Sequence, residues 1–581
     1  MKHNRKLYIL GAVATLSLAT VSCKDTFLDV PVTGQLAGTQ LASKPGIERS
    51  LIAAYSVLNG RGDRLASFAN WVWGGIRGGD ANKGTDPGDF SSINPIQRFE
   101  TISTDDVGGT WRIKYEGISR CNSTLKLLKS APADMSGADK TRVTAEARFL
   151  RGLYYFDLKR LFGNTPYIDE TVDYGTGIEK VSNAAELWPK IEADAKFAYD
   201  NLAETPPAVG RANKWAAAAQ LAKVYLYQKK YAEAKTLFDL VIANGKTSNG
   251  KKYALVPKFA DLFKASNDNN EESVFVIQAA ANTGSTNNAN PEFDLNYPYN
   301  TGPNGPGNCC GFNQPSFEYV NSFRTDANGL PLLDGSYNTG ANQVKSDMGV
   351  LSKEAFTPDA GNVDPRLDHT VGRRGLPYLD WMDHPGADWI RNQPNGGPYS
   401  PKKFTYYKSD RGSLQDNSSW TPGYTALNFP IIRFADVLLM AAECEIEVGS
   451  LTKALEYTNL VRNRAANAAG FVMRGTVPAS KYTIKEYPAS TFASKASATT
   501  AVRFERRLEL GDEGHRFFDL VRWGIAAATV NDYLTYEGAG VRLPTTLGGS
   551  RFTAGKHELL PIPQAQIDIQ GKDVLKQNPG Y

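Results

Sequence analysis

Apolar residues recur at helical spacing in three separate segments of this 581-residue chain. The first segment is VTAEARFLRGLYYFDLKRLFG, in which Leu150, Tyr154, Leu158 and Leu161 follow one another at intervals of three or four residues. Side chains at this spacing lie on one face of a helix, and a glycine directly after the last apolar position is a common helix end. The pattern predicts a helix that ends at Gly163.

The other two segments each predict a pair of helices. They are KWAAAAQLAKVYLYQKKYAEAKTLFDLVIANG, with a break at Lys229-Lys230, and FADVLLMAAECEIEVGSLTKALEYTNLVRNRA, with a break at Gly449-Ser450. After the breaks, similar residues fall in register: Ala234 with Ala454, Leu240 with Leu460, and Val241 with Val461. A small alanine lets two helices approach closely, as in tetratricopeptide-type hairpins. We therefore interpret the two segments as one repeated unit, with chance similarity of two amphipathic hairpins as the alternative.

Long irregular segments separate these hairpins. Residues 280–311 and 335–424 are dense in Asn, Gly and Pro, which favour turns over regular elements. They are too long and too aromatic for simple disorder, and ordered surface loops of this kind usually carry function. The expected fold is therefore mainly α-helical, a tetratricopeptide-like helical-hairpin scaffold that carries long loop insertions, and we expect the loops to form the ligand-binding part.

This pattern divides the chain into four parts. We expect a signal peptide at residues 1–22, an N-terminal part with the first hairpins at 23–245, a loop-rich insertion at 246–425, and a C-terminal part with the second hairpin and a closing segment at 426–581.

The leader begins with basic residues and continues with an uncharged apolar run over residues 7–21, the layout of a secretory signal. A helix of this length rises about 22 Å, short of the ~30 Å hydrocarbon layer. The run ends in TVSC, which resembles the lipobox of bacterial lipoproteins, where the cysteine, here Cys23, is acylated. An ordinary signal peptide with cleavage nearby is the alternative.

Charge and cysteine content exclude several classes of protein. Three of the 65 basic residues and none of the 61 acidic residues precede Cys23, so the mature chain has a formal net charge of +1. Such a balanced chain carries no overall electrostatic signature of nucleic-acid binding. Four cysteines remain after Cys23, too few for a disulfide scaffold in a chain of this size. Cys309 and Cys310 are adjacent and could form either a vicinal disulfide or two free thiols.

A search for catalytic motifs finds no nucleophile elbow, no zinc-protease motif and no phosphate-binding loop. Glu505 and Glu509 lie one helical turn apart and would suit a glycosidase acid/base pair. However, five arginines are interleaved with the carboxylates of residues 502–524, and guanidinium neighbours favour the charged form of a carboxylate, whereas a catalytic acid needs a raised pKa. We interpret this segment as an ion-paired structural brace.

Aromatic residues in the loops suggest a carbohydrate site. Sugars present C–H faces that stack on flat rings and hydroxyl edges that pair with amides, carboxylates or guanidinium groups. Trp71, Trp73, Tyr297, Tyr299, Trp381, Trp389 and Trp420 lie in loop-like sequence, mostly beside Asp, Asn, Arg or Lys. Any single one of them could equally be a ring that fixes its loop.

The chain resembles the SusD/RagB family of Bacteroidetes outer-membrane nutrient-binding lipoproteins in seven ordered blocks. They are CKDTFLD, RFLRGLYYFDLKRLFGNTPYI, AKVYLYQKKYAEAKTLFDLVI, GFNQPSFEYVNSFR, IIRFADVLLMAAECE with LVRNRA, ERRLELGDEGHRFFDLVRWG and LLPIPQAQIDIQGKDVLKQNPGY. The resemblance implies about four tetratricopeptide-like units, no catalytic activity and a lipid anchor at Cys23. It also implies a place on the extracellular side of the outer membrane, and an oligosaccharide ligand that passes to a SusC-like TonB-dependent transporter. A lid for a transporter of peptides or another non-glycan nutrient is the alternative.

The family's shared blocks are scaffold, so its ligand residues cannot be carried over by motif. From chemistry and position we predict ligand contacts in three loops: Trp71, Trp73, Asp80 and Lys83 in the first, Tyr297 and Tyr299 in the second, and Trp381, Asp383 and Trp389 in the third. We expect no cofactor; a structural calcium in an acidic loop stays open.

Overall fold

The computed structural model describes residues 41–285, 288–307, 309–418 and 420–581. The predicted leader and Cys23 lie outside these ranges. Within them, no helix combines the length and the apolar character needed to cross a membrane.

Helices dominate the described part of the chain. In order they are α1 Lys44–Tyr55, α2 Ile93–Gln97, α3 Gly108–Lys129, α4 Gly137–Phe162, α5 Trp188–Asn201, α6 Lys214–Tyr227, α7 Tyr231–Asn244, α8 Phe317–Ser322, α9 Arg366–Thr370, α10 Gln393–Gly396, α11 Phe434–Val448, α12 Leu451–Ala465, α13 Lys495–Leu510, α14 Arg516–Arg522, α15 Ala526–Glu537, α16 Pro544–Leu547 and α17 Gln564–Gln570.

Strands are short and pair antiparallel in twos. They are β1 Ala81–Gly84 with β3 Phe312–Pro315, β2 Ser273–Ile277 with β8 Phe429–Arg433, β4 Val371–Gly372 with β7 Ser400–Pro401, β5 Pro377–Tyr378 with β6 Met382–Asp383, and β9 Met473–Arg474 with β10 Val477–Pro478.

Eight of the long helices form four antiparallel pairs, α1 with α3, α4 with α5, α6 with α7, and α11 with α12. Each pair also packs on the next, through α3 with α4, α5 with α6, and α7 with α11. The protein is therefore mainly α-helical, with a tetratricopeptide-like scaffold of four hairpins, as the sequence predicted. The long insertion between α7 and α11 leaves this stack and returns to it.

The first predicted helix is α4, and its ends have clear causes. The Ser136 hydroxyl accepts a hydrogen bond from the Asp139 N–H at the N-terminus, and Gly163 follows the last residue with a φ of 74°. Tyr154 of α4 is fully buried, and its hydroxyl donates to the Ala54 carbonyl oxygen of α1 at 2.8 Å. A Cβ at Gly117 of α3 would lie 2.3 Å from this ring, so only glycine allows α3 and α4 to approach so closely.

The repeated unit predicted from the sequence is confirmed by the burial of its matched positions. Ala234 and Ala454 are both fully buried, as are Val241 and Val461, while Leu240 and Leu460 are both exposed, at 38% and 44%. Because α7 packs directly on α11, the two copies are neighbours in space although about 220 residues separate them in sequence.

A buried ionic network joins the irregular insertion to the scaffold. Its ten groups have side chains at most 3% exposed, and cations and anions balance: Arg366, Lys403, Arg433, Arg462 and Arg464 with Glu272, Asp364, Glu505, Glu509 and Glu513. Burial alone would raise the pKa of Glu509, but Arg464, Arg433 and Arg366 outweigh it and hold that pKa far below its usual range. The sequence-based interpretation of residues 502–524 as an ion-paired brace is confirmed, but Glu505, Glu509 and Glu513 pair with cations outside that segment rather than with its interleaved arginines.

Candidate functional site

The three loops selected from the sequence meet at one arginine. The Arg391 guanidinium pairs with Asp86 at 2.6 Å and with Asp89 at 2.5 Å, and it lies 5.3 Å from the centre of the Tyr299 ring. The Tyr299 N–H donates to the Trp389 carbonyl oxygen at 2.9 Å. Asp86 and Asp89 belong to the first loop, Tyr299 to the second and Arg391 to the third. We call these four residues the Arg391 junction.

The Arg391 junction lies partly at the surface. The side chains of Arg391, Asp86 and Asp89 are 30%, 30% and 31% exposed, and Tyr299 is half-buried. Although burial raises the pKa of Asp86, the N–H groups of Asp89 and Gly88 and the charge of Arg391 lower it overall, so this carboxylate stays ionised. A flat ring beside a guanidinium and two carboxylates is the combination that stacks on a sugar face and pairs with its hydroxyls.

Lys83 and Asp80 hold the first loop from the inside. Lys83 is fully buried, and its Nζ donates to the carbonyl oxygens of Asp86 at 2.9 Å, Pro87 at 3.3 Å and Asp89 at 2.8 Å. Burial lowers the pKa of Lys83 to about 8. Asp80 is also fully buried and accepts from the Asp512 N–H at 3.2 Å. The prediction that Lys83 and Asp80 contact ligand is not supported; they position the loop that does reach the surface.

Trp71 and Trp73 lie in the hydrophobic core. They belong to a π-helical turn over Trp71–Ile76 and are 1% and 0% exposed. The Trp73 Nε1–H donates to the Leu65 carbonyl oxygen at 2.6 Å, and Trp71 packs edge-to-face on Phe312 at 6.4 Å. These two rings cannot stack on a ligand in this structure, so the sequence-based prediction is corrected. The apolar residues Val72 and Ile76 were the sequence signal that this segment faces inward, and both are buried.

Tyr297 and Trp389 also support the loops from behind. Tyr297 is fully buried and its hydroxyl donates to the Gly423 carbonyl oxygen at 2.5 Å. Trp389 is 4% exposed and packs edge-to-face on Tyr378, with ring centres 5.5 Å apart. Their predicted role as ligand contacts is corrected in the same way, because the rings are enclosed by other loop residues.

The two remaining predicted residues are more accessible but lie outside the Arg391 junction. Trp381 is half-buried; its Nε1–H donates to the Tyr406 carbonyl oxygen at 3.2 Å, and the Arg411 guanidinium lies 5.7 Å from the ring centre. Asp383 is exposed and pairs with Arg474 at 2.8 Å. Of the nine predicted contacts, Tyr299 is the one that joins the junction.

Cys309 and Cys310 form a disulfide, which resolves the alternative left open by the sequence. The next residue, Gly311, accepts a hydrogen bond from the Thr85 N–H at 2.6 Å and donates its own N–H to the Tyr297 carbonyl oxygen at 2.9 Å. The disulfide segment therefore ties the second loop to the first, directly beside the Arg391 junction.

Trp420 is the most exposed tryptophan in the part of the chain that the structure describes, at 62%. Its indole N–H bonds to the carboxylate of Asp294, which Arg64 holds in a bidentate pair at 2.7 and 2.6 Å. Burial raises the pKa of Asp294, and Arg64 opposes that rise. The hydrogen bond from Tyr297 to Gly423 ties the Trp420 loop to the second loop. We call Trp420, Arg64 and the Arg391 junction together the loop surface.

Trp420 is one of the loop aromatics identified from the sequence, but it was not among the predicted ligand contacts. The distinguishing signal was its neighbours, since turn-forming polar residues flank Trp420 on both sides whereas the apolar Val72 lies between Trp71 and Trp73. A structural calcium stays an open question; within the described ranges no three His, Cys, Asp or Glu side chains are grouped to hold a metal ion.

Comparison with known families gives two matches along the chain. The model described as "SusD family" matches residues 271–581, and the model described as "Starch-binding associating with outer membrane" matches residues 85–226. The chain belongs to the SusD family. Six of the seven blocks of resemblance follow residue 85. Five of them lie within one of the two matches, and the remaining block, residues 222–242, begins inside the match over residues 85–226 and extends beyond it.

Related proteins share the fold, and the names of two of the solved structures state a glycan ligand. A SusD-like protein of Formosa agariphila is 24% identical over 459 residues, which cover 76% of this chain and 75% of that protein. A solved laminarin-binding SusD-like protein has a TM-score of 0.64 at 24% identity and covers 93% of this chain and 100% of its own. Surface glycan-binding protein A from Bacteroides thetaiotaomicron, solved with laminarihexaose, has a TM-score of 0.63 at 21% identity, covering 92% and 99%.

Proposed function

We propose that this protein is a non-catalytic glycan-binding lipoprotein of the cell surface, which captures an oligosaccharide on the loop surface and passes it to a SusC-like TonB-dependent outer-membrane transporter. The observation that carries the proposal is the loop surface itself. An exposed indole at Trp420 and a half-buried phenol ring at Tyr299 each stand beside an arginine paired with carboxylates. SusD-family membership and the glycan-binding relatives support the same ligand class.

Binding without catalysis follows from the state of the carboxylates. Glu505 and Glu509, the pair that a glycosidase interpretation would use, are fully buried and ion-paired with arginines. A general acid needs a raised pKa and access to the substrate, and Glu509 has a lowered pKa and no access. At the loop surface, Asp86 and Asp89 both pair with Arg391, and although burial raises the pKa of Asp86, backbone N–H groups and the charge of Arg391 lower it overall.

The cellular part of the proposal rests on the front of the chain and on the family. Acylation at Cys23 would anchor the protein in outer-membrane lipid with the scaffold on the extracellular side. A tethered binding protein raises the local ligand concentration at a transporter entrance, so modest affinity for each oligosaccharide suffices.

The test is a binding screen with the purified mature protein. The panel comprises laminarihexaose, maltohexaose, cellohexaose and xylohexaose, measured by isothermal titration calorimetry. We expect one of them to bind, and Trp420→Ala and Tyr299→Ala each to weaken it by about 1 kcal/mol, or roughly fivefold. Ile569→Ala is the control, because Ile569 is 68% exposed on α17, away from the loop surface.

Peptide binding, the alternative function, is tested with the same purified protein. A library of unstructured peptides serves as the second panel. If the protein binds no glycan of the panel but binds peptides saturably, the proposed glycan ligand is wrong and the ligand is a non-glycan nutrient. Glycan binding that both aromatic substitutions leave unchanged would show that the sugar site lies elsewhere.

A further inference from the structure

A small cleft opens beside the Arg391 junction. Its volume is about 200 Å³, and the helices α2, α10 and α16 form its walls together with Pro87. Pro87 lies between Asp86 and Asp89, and Asn392 of the cleft directly follows Arg391, so the cleft and the junction share two segments of chain. Side-chain amides and hydroxyls dominate the lining: Asn94, Gln97, Asn392, Asn395, Thr545 and Thr546.

Hydrogen bonds that join α10 to α16 and to β1 fix two walls of the cleft. The Thr546 hydroxyl of α16 donates to Asn395 Oδ1 of α10 at 3.1 Å, and Asn395 Nδ2 donates to the Gly84 carbonyl oxygen at 2.8 Å. Asn392 Oδ1 accepts from the Asn395 N–H at 3.1 Å and so caps α10. These amides are held in place before any ligand arrives, which lowers the entropic cost of binding.

Two buried donors at this cleft have no partner within the described part of the chain. Gln97 is 3% exposed; its Oε1 accepts from the Lys83 N–H at 2.9 Å, which sets the orientation of the amide, and its Nε2 has no partner. Arg98 Nε is likewise buried without a partner, while the Nη2 of the same side chain pairs with Glu100 at 2.8 Å. An unpaired buried donor loses its hydration without compensation, so two such donors lining one cleft are available to an acceptor that a ligand supplies.

We propose that this cleft is a subsite that binds the hydroxyls of one uncharged sugar residue. The adjacent sugar residues of the same oligosaccharide then lie on the Arg391 junction. This inference rests on the proposed function. Amides and hydroxyls both donate and accept, as sugar hydroxyls do. None of the residues that line the cleft, all of them in described ranges, carries a carboxylate or an aromatic ring, and its one guanidinium is paired with Glu100. The lining therefore favours neither an anion nor a cation, and it offers no ring for stacking.

The size of the cleft supports a single sugar residue. Sites for drug-sized ligands enclose about 300–1,000 Å³, and this cleft lies below that range at about 200 Å³. Two of its lining residues, Pro87 and Asn392, directly follow the junction residues Asp86 and Arg391 in sequence, so one oligosaccharide can reach both places.

Two substitutions test the subsite without removing its structural contacts. Gln97→Glu keeps the acceptor for the Lys83 N–H and the size of the side chain, but it replaces the free donor by an oxygen. Thr545→Trp fills the cleft from an exposed position. Gln566→Glu on α17 is the matched control, since it adds the same charge on a helix that does not line the cleft.

Each variant is titrated calorimetrically with the hexasaccharide of the four-member panel that binds wild-type protein, and with the disaccharide of the same linkage. We expect Gln97→Glu and Thr545→Trp to weaken hexasaccharide binding about tenfold and to leave disaccharide binding at the junction unchanged, with Gln566→Glu at the wild-type value. Wild-type hexasaccharide affinity in both cleft variants, or an equal loss for both lengths, overturns the subsite while leaving the proposed function intact. Wild-type protein that binds none of the panel overturns the proposed function and the subsite together.

Discussion

Glu509→Gln tests the buried ionic network that holds the loops on the scaffold. Glu509 is fully buried on α13, and its carboxylate accepts from Arg433 at 2.6 Å, from Arg366 at 3.0 Å and from Arg464. Glutamine has the same shape but no charge and one fewer acceptor oxygen. The substitution therefore isolates the electrostatic contribution with little change in packing.

The expected magnitude follows from the balance of the network. Its five cations and five anions sum to zero, so the neutral glutamine leaves one uncompensated positive charge among side chains that are at most 3% exposed. Removing one partner of a buried ion pair costs about 3–5 kcal/mol. Against a typical unfolding free energy of about 5–15 kcal/mol, that loss is large.

The assay is guanidinium chloride unfolding at pH 7, followed by circular dichroism, with Glu456→Gln as control. Glu456 pairs with Lys453 at 2.7 Å, but both side chains are exposed, at 54% and 41%, so we expect the control to cost less than about 0.5 kcal/mol. Because the folded-state pKa of Glu509 is held below its ordinary 4.5, its stabilising contribution is present above that pH and is lost as the pH falls through the lower value. Equal losses in Glu509→Gln and Glu456→Gln would refute the bracing role.

Two further predictions concern stability. Burial raises the pKa of Asp512 from 3.8 to about 7, so the stability that this group contributes is present below pH 3.8 and is lost as the pH rises through 7. Asp512→Asn, which also suits the φ of 65°, should therefore gain up to about 4 kcal/mol at pH 8 and little at pH 4 in urea titrations. A gain that does not depend on pH would contradict this. Ala454→Leu should destabilise the protein by about 1–3 kcal/mol because Ala454 is fully buried in the α11–α12 hairpin. Leu460→Ala, at a position that is 44% exposed, should cost under about 1 kcal/mol, and the reverse order in thermal unfolding would contradict the packing of this hairpin.

The scaffold could be predicted from the sequence because helix patterns are local. Apolar spacing with a closing glycine gave α4 its C-terminal end, and the matched alanines identified α7 and α12 as equivalent helices of two hairpins. That carboxylates of residues 502–524 are ion-paired was predictable from the local sequence, but the partners of Glu505 and Glu509 were not, because Arg366, Arg433, Arg462 and Arg464 all lie outside that segment.

The site was predicted only in outline. The three loops do meet, since Arg391 contacts Asp86 and Tyr299, and their role in ligand binding stays a prediction, but individual rings were chosen from residue type alone. Whether an aromatic side chain in a loop faces solvent depends on long-range packing; Trp389, for example, is buried by Tyr378 and His384, which its own neighbours in sequence do not reveal. Loop conformation depends on long-range contacts such as Arg391 to Asp89, which the local pattern does not contain.

The most direct test of the account is a crystal structure of the mature protein with the hexasaccharide that it binds in the calorimetric screen. We predict electron density for a sugar ring stacked on Trp420 or Tyr299, with its hydroxyls in hydrogen-bond range of Arg64 or Arg391. Density on the outer faces of the helical hairpins, with the loop surface unoccupied, would contradict it.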